Sequence, residues 1–352
     1  MAALVATNAN DELSSKLQEM REAFKDSELT NGTDELFGRG GELDDDIFER
    51  YLRARKMVVA DAKKMLEDTL KWRADFGVRN MHTKGYMKVI ETETFSGKTY
   101  VHGFNRDGHV LLYMRPRREN SNEYDGNLKH VVYNLERCVA SMKKADKASS
   151  EGKLILLIDF AGYSTFNSPP MKTSRETLSI IQNHFPERLK KAFIIRAPWI
   201  FSAFWSMISP FIDPITSKKI QFVKGNPEDI AKILTDPEAG NIDPEVLECD
   251  LGGKNRYKFD GQVSIGLKRE APAKMPPGGK LPFEVEQGKR DLPQFPGSLI
   301  DPAMKDSEVL ESCKEAFEGT YQECIQRCVS GGKGQDEVAQ TTGESEGEKE
   351  GA

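Results

Sequence analysis

The sequence predicts an α/β fold with a helical N-terminal lobe, and three observations carry that prediction. Apolar residues recur at helical spacing through roughly the first hundred residues. Two short apolar runs then flank a turn at 105–108, which is typical of a β-hairpin. Finally, KLILLIDF and KAFIIRAP are continuous apolar runs of the kind found in strands buried on both faces, and a helical segment separates them. Such a strand, helix, strand unit packs helices against a sheet.

The composition excludes several classes of protein. The chain has 352 residues, of which 30% are charged and 38% hydrophobic, and its net charge is −6. These values are typical of a soluble globular protein, and without a basic surplus no nucleic-acid partner is expected. No basic region precedes Asp11, so we expect no signal peptide and a cytoplasmic location. Five scattered cysteines indicate reduced thiols rather than disulfides or a metal site.

The helices of the N-terminal lobe are predicted from apolar spacing and from end signals. Leu13, Leu17, Met20 and Phe24 recur at helical intervals in an otherwise polar stretch. The acidic run at 44–46 suits the start of a second helix, because carboxylates stabilise helix N-termini. A third helix is predicted in VVADAKKMLEDTLKWRADFG, where the final glycine is a natural stop.

The remainder of the chain alternates strands and helices before its composition changes. A helix of about twenty residues is predicted in GNLKHVVYNLERCVASMKK, a strand in KKIQFV, and short capped helices in NPEDIAKIL and IDPEVLECDLGG. We therefore place a helical N-terminal lobe at 1–90 and an α/β domain at 91–268. A C-terminal extension rich in Pro, Gly and Lys follows at 269–330, and a disordered acidic tail at 331–352.

The sequence carries no recognisable catalytic motif. SGKT at 96–99 imitates the end of a phosphate-binding P-loop, but the first glycine of that motif is missing and a strand follows where a helix is needed. Neither G-x-S-x-G nor H-E-x-x-H occurs, and the five histidines are scattered. We therefore predict that the protein is not an enzyme and needs no cofactor.

The segment at 197–212 contains sixteen residues without a charge. Pro210 interrupts it, and it is too short to span a bilayer. Two interpretations remain open: a core helix buried all round, or a lid that faces an apolar ligand on one side and a membrane on the other. The next helix begins at Asp213, which places Thr216 and Lys219 on one helical face. A hydroxyl and an ammonium held together suit a phosphate group.

Three segments resemble the CRAL-TRIO lipid-binding family, in its phosphatidylinositol transfer branch. They are FERYLRARKMVVADAKKMLEDTLKWRADFG, LILLIDFAGYS and HFPERLKKAFIIRAPWIFSAFWSMISPFIDPITSKKI, and the likeness runs in order from about 43 to 253. SGKTYVHGFNRDGHVLLYMRPRREN, together with LILLIDF, is most similar to fungal-type members that bind phosphatidylinositol and sterol. The resemblance implies a CRAL-TRIO fold, in which a helical lobe precedes a mixed β-sheet whose flanking helices enclose one lipid cavity. The domain at 91–268 would be the lipid-binding domain.

The resemblance also implies the residues of the site. Phosphatidylinositol would be bound by two cations after the second helix, a carboxylate, a hydroxyl and a lysine: Arg55, Lys56, Glu187, Thr216 and Lys219. Cations and a hydroxyl suit the phosphate, and a carboxylate accepts hydrogen bonds from inositol hydroxyls. The gate of the cavity would be a helix carrying the apolar side chains of Trp199, Phe201, Phe204, Trp205, Ile208 and Phe211.

A second ligand is predicted from a departure from the family pattern. Members that carry phosphatidylcholine place two hydroxyl residues and two tyrosines around the choline phosphate. The matching positions here are all leucine: Leu112, Leu135, Leu154 and Leu156. Leucines cannot replace the water that a headgroup loses, whereas an apolar ring system gains from the same surface. We therefore expect a sterol or another apolar lipid.

The predicted function is the exchange of phosphatidylinositol for that apolar lipid, by a cytoplasmic protein that contacts membranes peripherally and transiently. Three alternatives remain. One is a sensor that presents phosphatidylinositol to a lipid kinase through the same pocket. Another is a hydrolase of lipid esters, which needs a nucleophilic serine on a tight turn that DFAGYSTFN imitates poorly. The third is a scaffold that uses the C-terminal tail.

Overall fold

The structure is a computed structural model that describes residues 2–25, 27, 43–81, 83–144, 151–163, 170–257 and 259. The predicted extension at 269–330 and tail at 331–352 lie outside the described residues, so both remain predictions. Within the described ranges, no helix is both long enough and apolar enough to cross a bilayer.

Three helices form the N-terminal lobe: α1 (Ala2–Phe24), α2 (Asp45–Ala54) and α3 (Val59–Phe76). Asp44 caps α2, because its carboxylate accepts a hydrogen bond from the Ile47 amide. Gly77 ends α3 with a φ of 76°, a left-handed conformation that glycine adopts without a steric penalty. The apolar stripes of the three helices meet in one core, whose buried members include Met20, Phe24, Phe48, Leu52, Leu66 and Leu70.

The strands form a mixed five-stranded sheet, as the fold class predicts. Its strands are β1 (Thr99–Phe104), β2 (Val110–Met114), β3 (Leu154–Asp159), β4 (Leu189–Ile195) and β5 (Ile220–Val223), in that spatial order. The predicted hairpin is the antiparallel pair of β1 and β2. The other three pairs are parallel, which the predicted strand, helix, strand unit requires.

Helices cover both faces of the sheet. The short helices α4 (Lys84–Val89) and α5 (Glu91–Phe95) lead from the lobe into β1. Helices α6 (Tyr124–Lys144) and α7 (Met171–His184) pack on one face. After β4 come α8 (Phe201–Ile208) and α9 (Pro214–Lys218), and α10 (Pro227–Thr235) packs on the opposite face.

The register of the strands separates two apolar layers. Leu112, Leu156, Ala192 and Ile220 are partners in adjacent strands, so their side chains emerge on the same face. Their chain neighbours Leu111, Ile155 and Phe193, together with Val223 of β5, are buried on the other face, against α10 and the segment that follows it. The second layer is filled with side chains, and the first borders a cavity.

One predicted element differs. IDPEVLECDLGG contains no α-helix, only a single-turn 3-10 helix at Cys249–Leu251. The backbone at Glu248 is extended, with φ −64° and ψ 146°. Its carboxylate lies 2.7 Å from the guanidinium of Arg115, the residue that follows β2. This buried ion pair holds the segment against the sheet, so a tertiary contact overrides the local helical pattern.

Candidate functional site

A cavity of about 310 Å³ lies between the sheet, α6, α7 and α8. Its volume is at the lower end of the range for ligand sites. Its wall is mostly aliphatic and aromatic, with contributions from all five strands and from four helices, and it includes Leu112, Leu154, Leu156, Ile194, Ile220, Leu135, Ile181 and Phe201. A surface of this kind suits a ligand that is itself largely apolar.

All four leucines predicted to form the apolar part of the site line this cavity. Leu112 and Leu156 are register partners in β2 and β3, and Leu154 lies two residues before Leu156 on the same face of β3. Leu135 reaches the cavity from α6. The strand register therefore brings together residues that are more than forty positions apart in sequence. Their predicted role in selecting the second lipid is a matter for experiment.

Four of the six predicted gate residues face the cavity: Phe201, Phe204, Trp205 and Ile208, all on α8. The other two do not line it, since Trp199 is 87% exposed and Phe211 is 51% exposed. Met207 on α8 is also exposed, at 47%. The segment is therefore apolar on a cavity face and on a solvent face, so it is not a helix buried all round, and its movement as a lid stays a prediction.

Polar contacts hold the segment at both ends. Before it, the Arg196 guanidinium donates to both carboxylate oxygens of Asp159, over 2.9 and 2.5 Å. After it, the Gln182 side-chain amide on α7 donates to the Phe211 carbonyl over 2.9 Å and accepts from the Asp213 amide over 3.1 Å. The guanidinium of Arg175 lies 4.9 Å from the Phe211 ring centroid. Polar contacts therefore hold the chain in place both before and after α8.

The predicted phosphate-binding residues Glu187, Thr216 and Lys219 lie together beside the cavity. Thr216 lines it, and its carbonyl accepts a hydrogen bond from the Lys219 amide over 2.9 Å. The Lys219 ammonium is 3.9 Å from the Glu187 carboxylate, and about a quarter of each side chain is exposed. Asp213 caps α9 as predicted, accepting from the Ile215 and Thr216 amides over 2.9 Å. Of the three, only Thr216 reaches the cavity wall.

Arg55 and Lys56 stand apart from that group. They follow α2, where Arg55 is the C-cap and is half-buried, while Lys56 is exposed with a φ of 51°. Among the described residues, no hydrogen bond or ion pair joins either side chain to Glu187, Thr216 or Lys219. The C-terminal part of α2 nevertheless approaches the site, because Arg50 shares a small pocket with Arg188, which also lines the main cavity.

Three polar residues that sequence reasoning missed line the cavity as one cluster: Lys98, Glu119 and Asn127. The Lys98 ammonium is 6% exposed and donates to Glu119 over 2.5 Å, to Asn127 over 2.7 Å, and to Glu93. Lys98 belongs to the SGKT run, which is followed by the strand β1 and not by the helix that a P-loop needs. Nothing in the local sequence indicates that its side chain is buried.

A second buried ion network lies next to Arg196, the residue that precedes the uncharged segment at 197–212. Arg115 contacts the carboxylates of Asp159, Glu248 and Asp250 at 2.6, 2.7 and 2.6 Å. Burial raises the pKa of Glu248 to about 7, although Arg115 opposes the shift. Burial also acts to raise the pKa of Asp159, but Arg115 and Arg196 outweigh it and hold that pKa below its ordinary value. Asp159 therefore links Arg196, which directly precedes the uncharged segment at 197–212, to Arg115 and through it to Glu248 and Asp250.

Comparison with known families places most of the described residues within one family. Residues 16–68 match the CRAL/TRIO N-terminal domain, and residues 94–253 match the CRAL/TRIO domain. The first match covers α2 and parts of α1 and α3, and the second covers the sheet, the residues that line the cavity and α8. The order of the two domains is that of the predicted lobe and lipid-binding domain.

Individual relatives agree with that assignment. A CRAL-TRIO domain-containing protein of Schizosaccharomyces pombe is 39% identical over 60% of this chain and 19% of its own length. Phosphatidylinositol transfer protein PDR17 of Saccharomyces cerevisiae is 30% identical, covering 63% of this chain and 61% of its own length. The SEC14 cytosolic factor of Eremothecium gossypii is 30% identical, covering 62% of this chain and 71% of its own length. The chain thus spans less than two thirds of the first two of these relatives.

A solved structure supports the fold. The crystal structure of Sfh5 superposes with a TM-score of 0.53 at 18% identity, and the match covers 64% of this chain and 83% of that one. At this identity the likeness concerns the fold alone.

Proposed function

Since the chain belongs to the CRAL/TRIO family, we propose that it is a non-enzymatic carrier that exchanges phosphatidylinositol for a second, apolar lipid at membranes. The observation that carries the proposal is the cavity itself. It has an aliphatic wall, one side of which is formed by a helix with exposed apolar residues on its other face. The names of the relatives PDR17 and SEC14 cytosolic factor point the same way.

Phosphatidylinositol would place its acyl chains along the leucines and its phosphate beside Thr216 and Lys219. The hydroxyl and the ammonium donate to phosphate oxygens, and Glu187 accepts hydrogen bonds from the inositol ring. Lys219 and Glu187 are only partly buried, so both can reorient toward a headgroup without losing a buried partner. Arg55 and Lys56 would extend the positive surface from the N-terminal lobe.

The second lipid would be a sterol or a similarly apolar molecule. A zwitterionic headgroup placed against Leu112, Leu154 and Leu156 would lose its water without compensation, at a cost of several kcal/mol. An apolar ring system would instead gain about 25 cal/mol for each Å² that it buries. This supports sterol exchange and argues against phosphatidylcholine exchange.

A membrane would be the transient partner at the gate. Trp199, Met207, Phe211 and Ile215 are exposed apolar side chains around α8 and α9, and Lys218 lies next to them. Apolar side chains flanked by cations suit the boundary between headgroups and acyl chains of an anionic bilayer. The protein would therefore be cytoplasmic and would bind membranes peripherally, only for the time that exchange requires.

The experiment that tests the proposal is transfer of labelled phosphatidylinositol between vesicles. Lys219→Ala and Glu187→Ala should each slow transfer about tenfold or more, because a charge-assisted hydrogen bond contributes roughly 1.5 to 3 kcal/mol. Lys232→Ala is the matched control, since Lys232 is an exposed lysine on α10, on the opposite face of the sheet, and does not line the cavity. Transfer that is unchanged in both site variants would contradict the headgroup assignment.

Sterol and phosphatidylcholine transfer should be measured beside it with the unaltered protein. The proposal expects sterol transfer and little phosphatidylcholine transfer. Efficient phosphatidylcholine exchange without sterol binding would refute the assignment of the second lipid.

A further inference from the structure

We propose that the cluster of Lys98, Glu119 and Asn127 binds the hydroxyl group of the second lipid, so that a neutral apolar molecule with one terminal hydroxyl is selected. The inference rests on the proposed exchange function and assigns a polar contact within the same cavity. It concerns a ligand with an apolar body, such as a sterol, and a single hydrogen-bond donor at one end.

The cluster lies at the far end of the cavity from the predicted phosphate site. Lys98 immediately precedes β1, whose first residue Thr99 pairs with Met114 at the end of β2. Lys219 immediately precedes β5, whose first residue Ile220 pairs with Ala192 in the middle of β4. The parallel strands therefore separate the two groups along their length and across the sheet.

The distance between the two ends of the cavity suits an elongated ligand. In β3, Leu154 and Ile158 both line the cavity, one at each end of the strand. Four residues of strand extend roughly 13 Å at about 3.3 Å per residue. The wall between these ends is aliphatic, so a ligand that reaches from one end to the other needs an apolar body of comparable length.

The hydrogen bonds of the cluster leave one acceptor available. The three protons of the Lys98 ammonium are used by Glu93, Glu119 and Asn127. On Glu119, the Oε1 atom accepts from Lys98 and from the amides of Asn120 and Ser121. No described residue donates to its other oxygen, Oε2. Glu119 lines the cavity with a side chain that is 11% exposed, so Oε2 is an acceptor that a ligand can reach.

The charge of the cluster determines what kind of group it accepts. The hydrogen-bonded charges of the cluster are one ammonium and two carboxylates, and the Arg118 guanidinium nearby donates to the Gly97 carbonyl. A phosphate at this point would face the Glu119 carboxylate and would find the three protons of the Lys98 ammonium already used. A cationic lipid headgroup at Oε2 would be repelled by the Lys98 ammonium, which lies 2.5 Å from Oε1 of the same Glu119 carboxylate. A neutral hydroxyl donates one hydrogen bond to Oε2 and adds no charge, so it fits best.

The test compares two lipids that differ only in the hydroxyl group: cholestanol and its 3-deoxy analogue, 5α-cholestane. Each is supplied in labelled form in phosphatidylcholine vesicles, and the amount taken up by the full-length protein at equilibrium is measured. Glu119→Leu removes the acceptor but leaves the Lys98–Glu93 pair intact. Glu119→Gln keeps the size of the side chain and an oxygen for Lys98. Glu123→Leu is the matched control, because Glu123 is exposed and does not line the cavity.

The unaltered protein and Glu123→Leu should prefer cholestanol to cholestane. In Glu119→Leu that preference should fall by about tenfold to 100-fold, as expected for the loss of a charge-assisted hydrogen bond. In Glu119→Gln, where a neutral bond replaces a charged one, it should fall by a smaller factor. Should Glu119→Leu fail to fold, the Glu119→Gln value decides.

An equal preference in the unaltered protein and in the folded Glu119 variants would overturn the inference, as would failure of the unaltered protein to take up cholestanol. Transfer of phosphatidylinositol by the same preparations separates this result from the proposed function. If that transfer proceeds while the preference is unaffected, only the role of the cluster is refuted. If the unaltered protein transfers no phosphatidylinositol, the proposed function itself is refuted.

Discussion

Removal of the Gln182 side chain should release the downstream end of the gate segment and accelerate lipid exchange. Its amide makes two hydrogen bonds across the gap between α7 and that segment, with the Phe211 carbonyl and the Asp213 amide. Both bonds are exposed to water, so each contributes about 0.5 to 1 kcal/mol, the lower part of the usual range. Together they favour the closed arrangement by about 1 to 2 kcal/mol, which corresponds to about a 5- to 30-fold shift in the opening equilibrium.

The assay is the rate of labelled phosphatidylinositol transfer by Gln182→Ala under conditions in which opening limits exchange. The rate should increase about 5- to 30-fold if the gate opens at this end. Asn183→Ala is the matched control, since the Asn183 side chain donates only to Ser179 on its own helix, over 3.2 Å. Both variants lose one exposed amide from α7, so any general effect on helix stability appears in both.

The reasoning would be refuted by equal transfer rates in Gln182→Ala and Asn183→Ala. In that case either the segment does not move, or it moves about its other end. A covalent test distinguishes these two outcomes. A reversible disulfide between the α8 segment and the facing wall should block exchange and retain bound lipid, and reduction should restore exchange. Normal exchange by the cross-linked protein would identify the segment as part of a static core.

The most buried and most exposed groups supply three more predictions. Because burial lowers the pKa of His102 from its ordinary 6.5 to about 4, the folded state loses about 2 kcal/mol of stability as pH falls from 7 to 5. Glu248, whose pKa is raised to about 7, acts in the opposite direction, because its protonation stabilises the folded state as pH falls through the same range. Urea unfolding of the unaltered protein must therefore be compared with that of His102→Phe at both pH values. An identical pH dependence of the two proteins would contradict the prediction. Trp199→Ala should weaken binding to anionic vesicles about tenfold in a flotation assay, since an exposed indole is lost from the surface proposed to enter the bilayer. Unchanged binding would exclude Trp199 from that surface. Arg115→Met should lower the free energy of unfolding by about 3 to 5 kcal/mol, because Glu248 would remain buried without its cation and Asp159 would keep Arg196 but lose Arg115. A loss below about 1 kcal/mol would show that the network is not required.

The secondary structure was largely accessible from the sequence, because its signals are local. Asp44 and Gly77 mark helix ends through their own side chain and backbone, and both act as predicted. The turn at 105–108 and the two continuous apolar runs became the predicted hairpin and parallel strands. The exception is the segment around Glu248, where a helical pattern was overridden by a buried contact with Arg115, more than a hundred residues away.

The site was accessible only in part. Family resemblance identified the four leucines that line the cavity and the four residues of α8 that face it. It also named residues that the structure places elsewhere: Trp199 and Phe211 are largely exposed, and Arg55 lies at the end of α2, away from Thr216. An apolar stretch predicts that a surface is hydrophobic, but it does not indicate which side chains face a ligand and which face the solvent.

By itself, the sequence determined most of the helices, the hairpin, the buried strands and an uncharged segment long enough for a lid, because periodicity, capping and turn chemistry depend on neighbouring residues. Only the tertiary structure decided that Lys98 meets Glu119 and Asn127 inside the cavity, and that Gln182 holds the segment after α8. The physical reason is that such contacts depend on strand register and helix packing. A shift of one residue in β1 or one turn in α7 would leave the local sequence pattern unchanged, yet it would separate these groups.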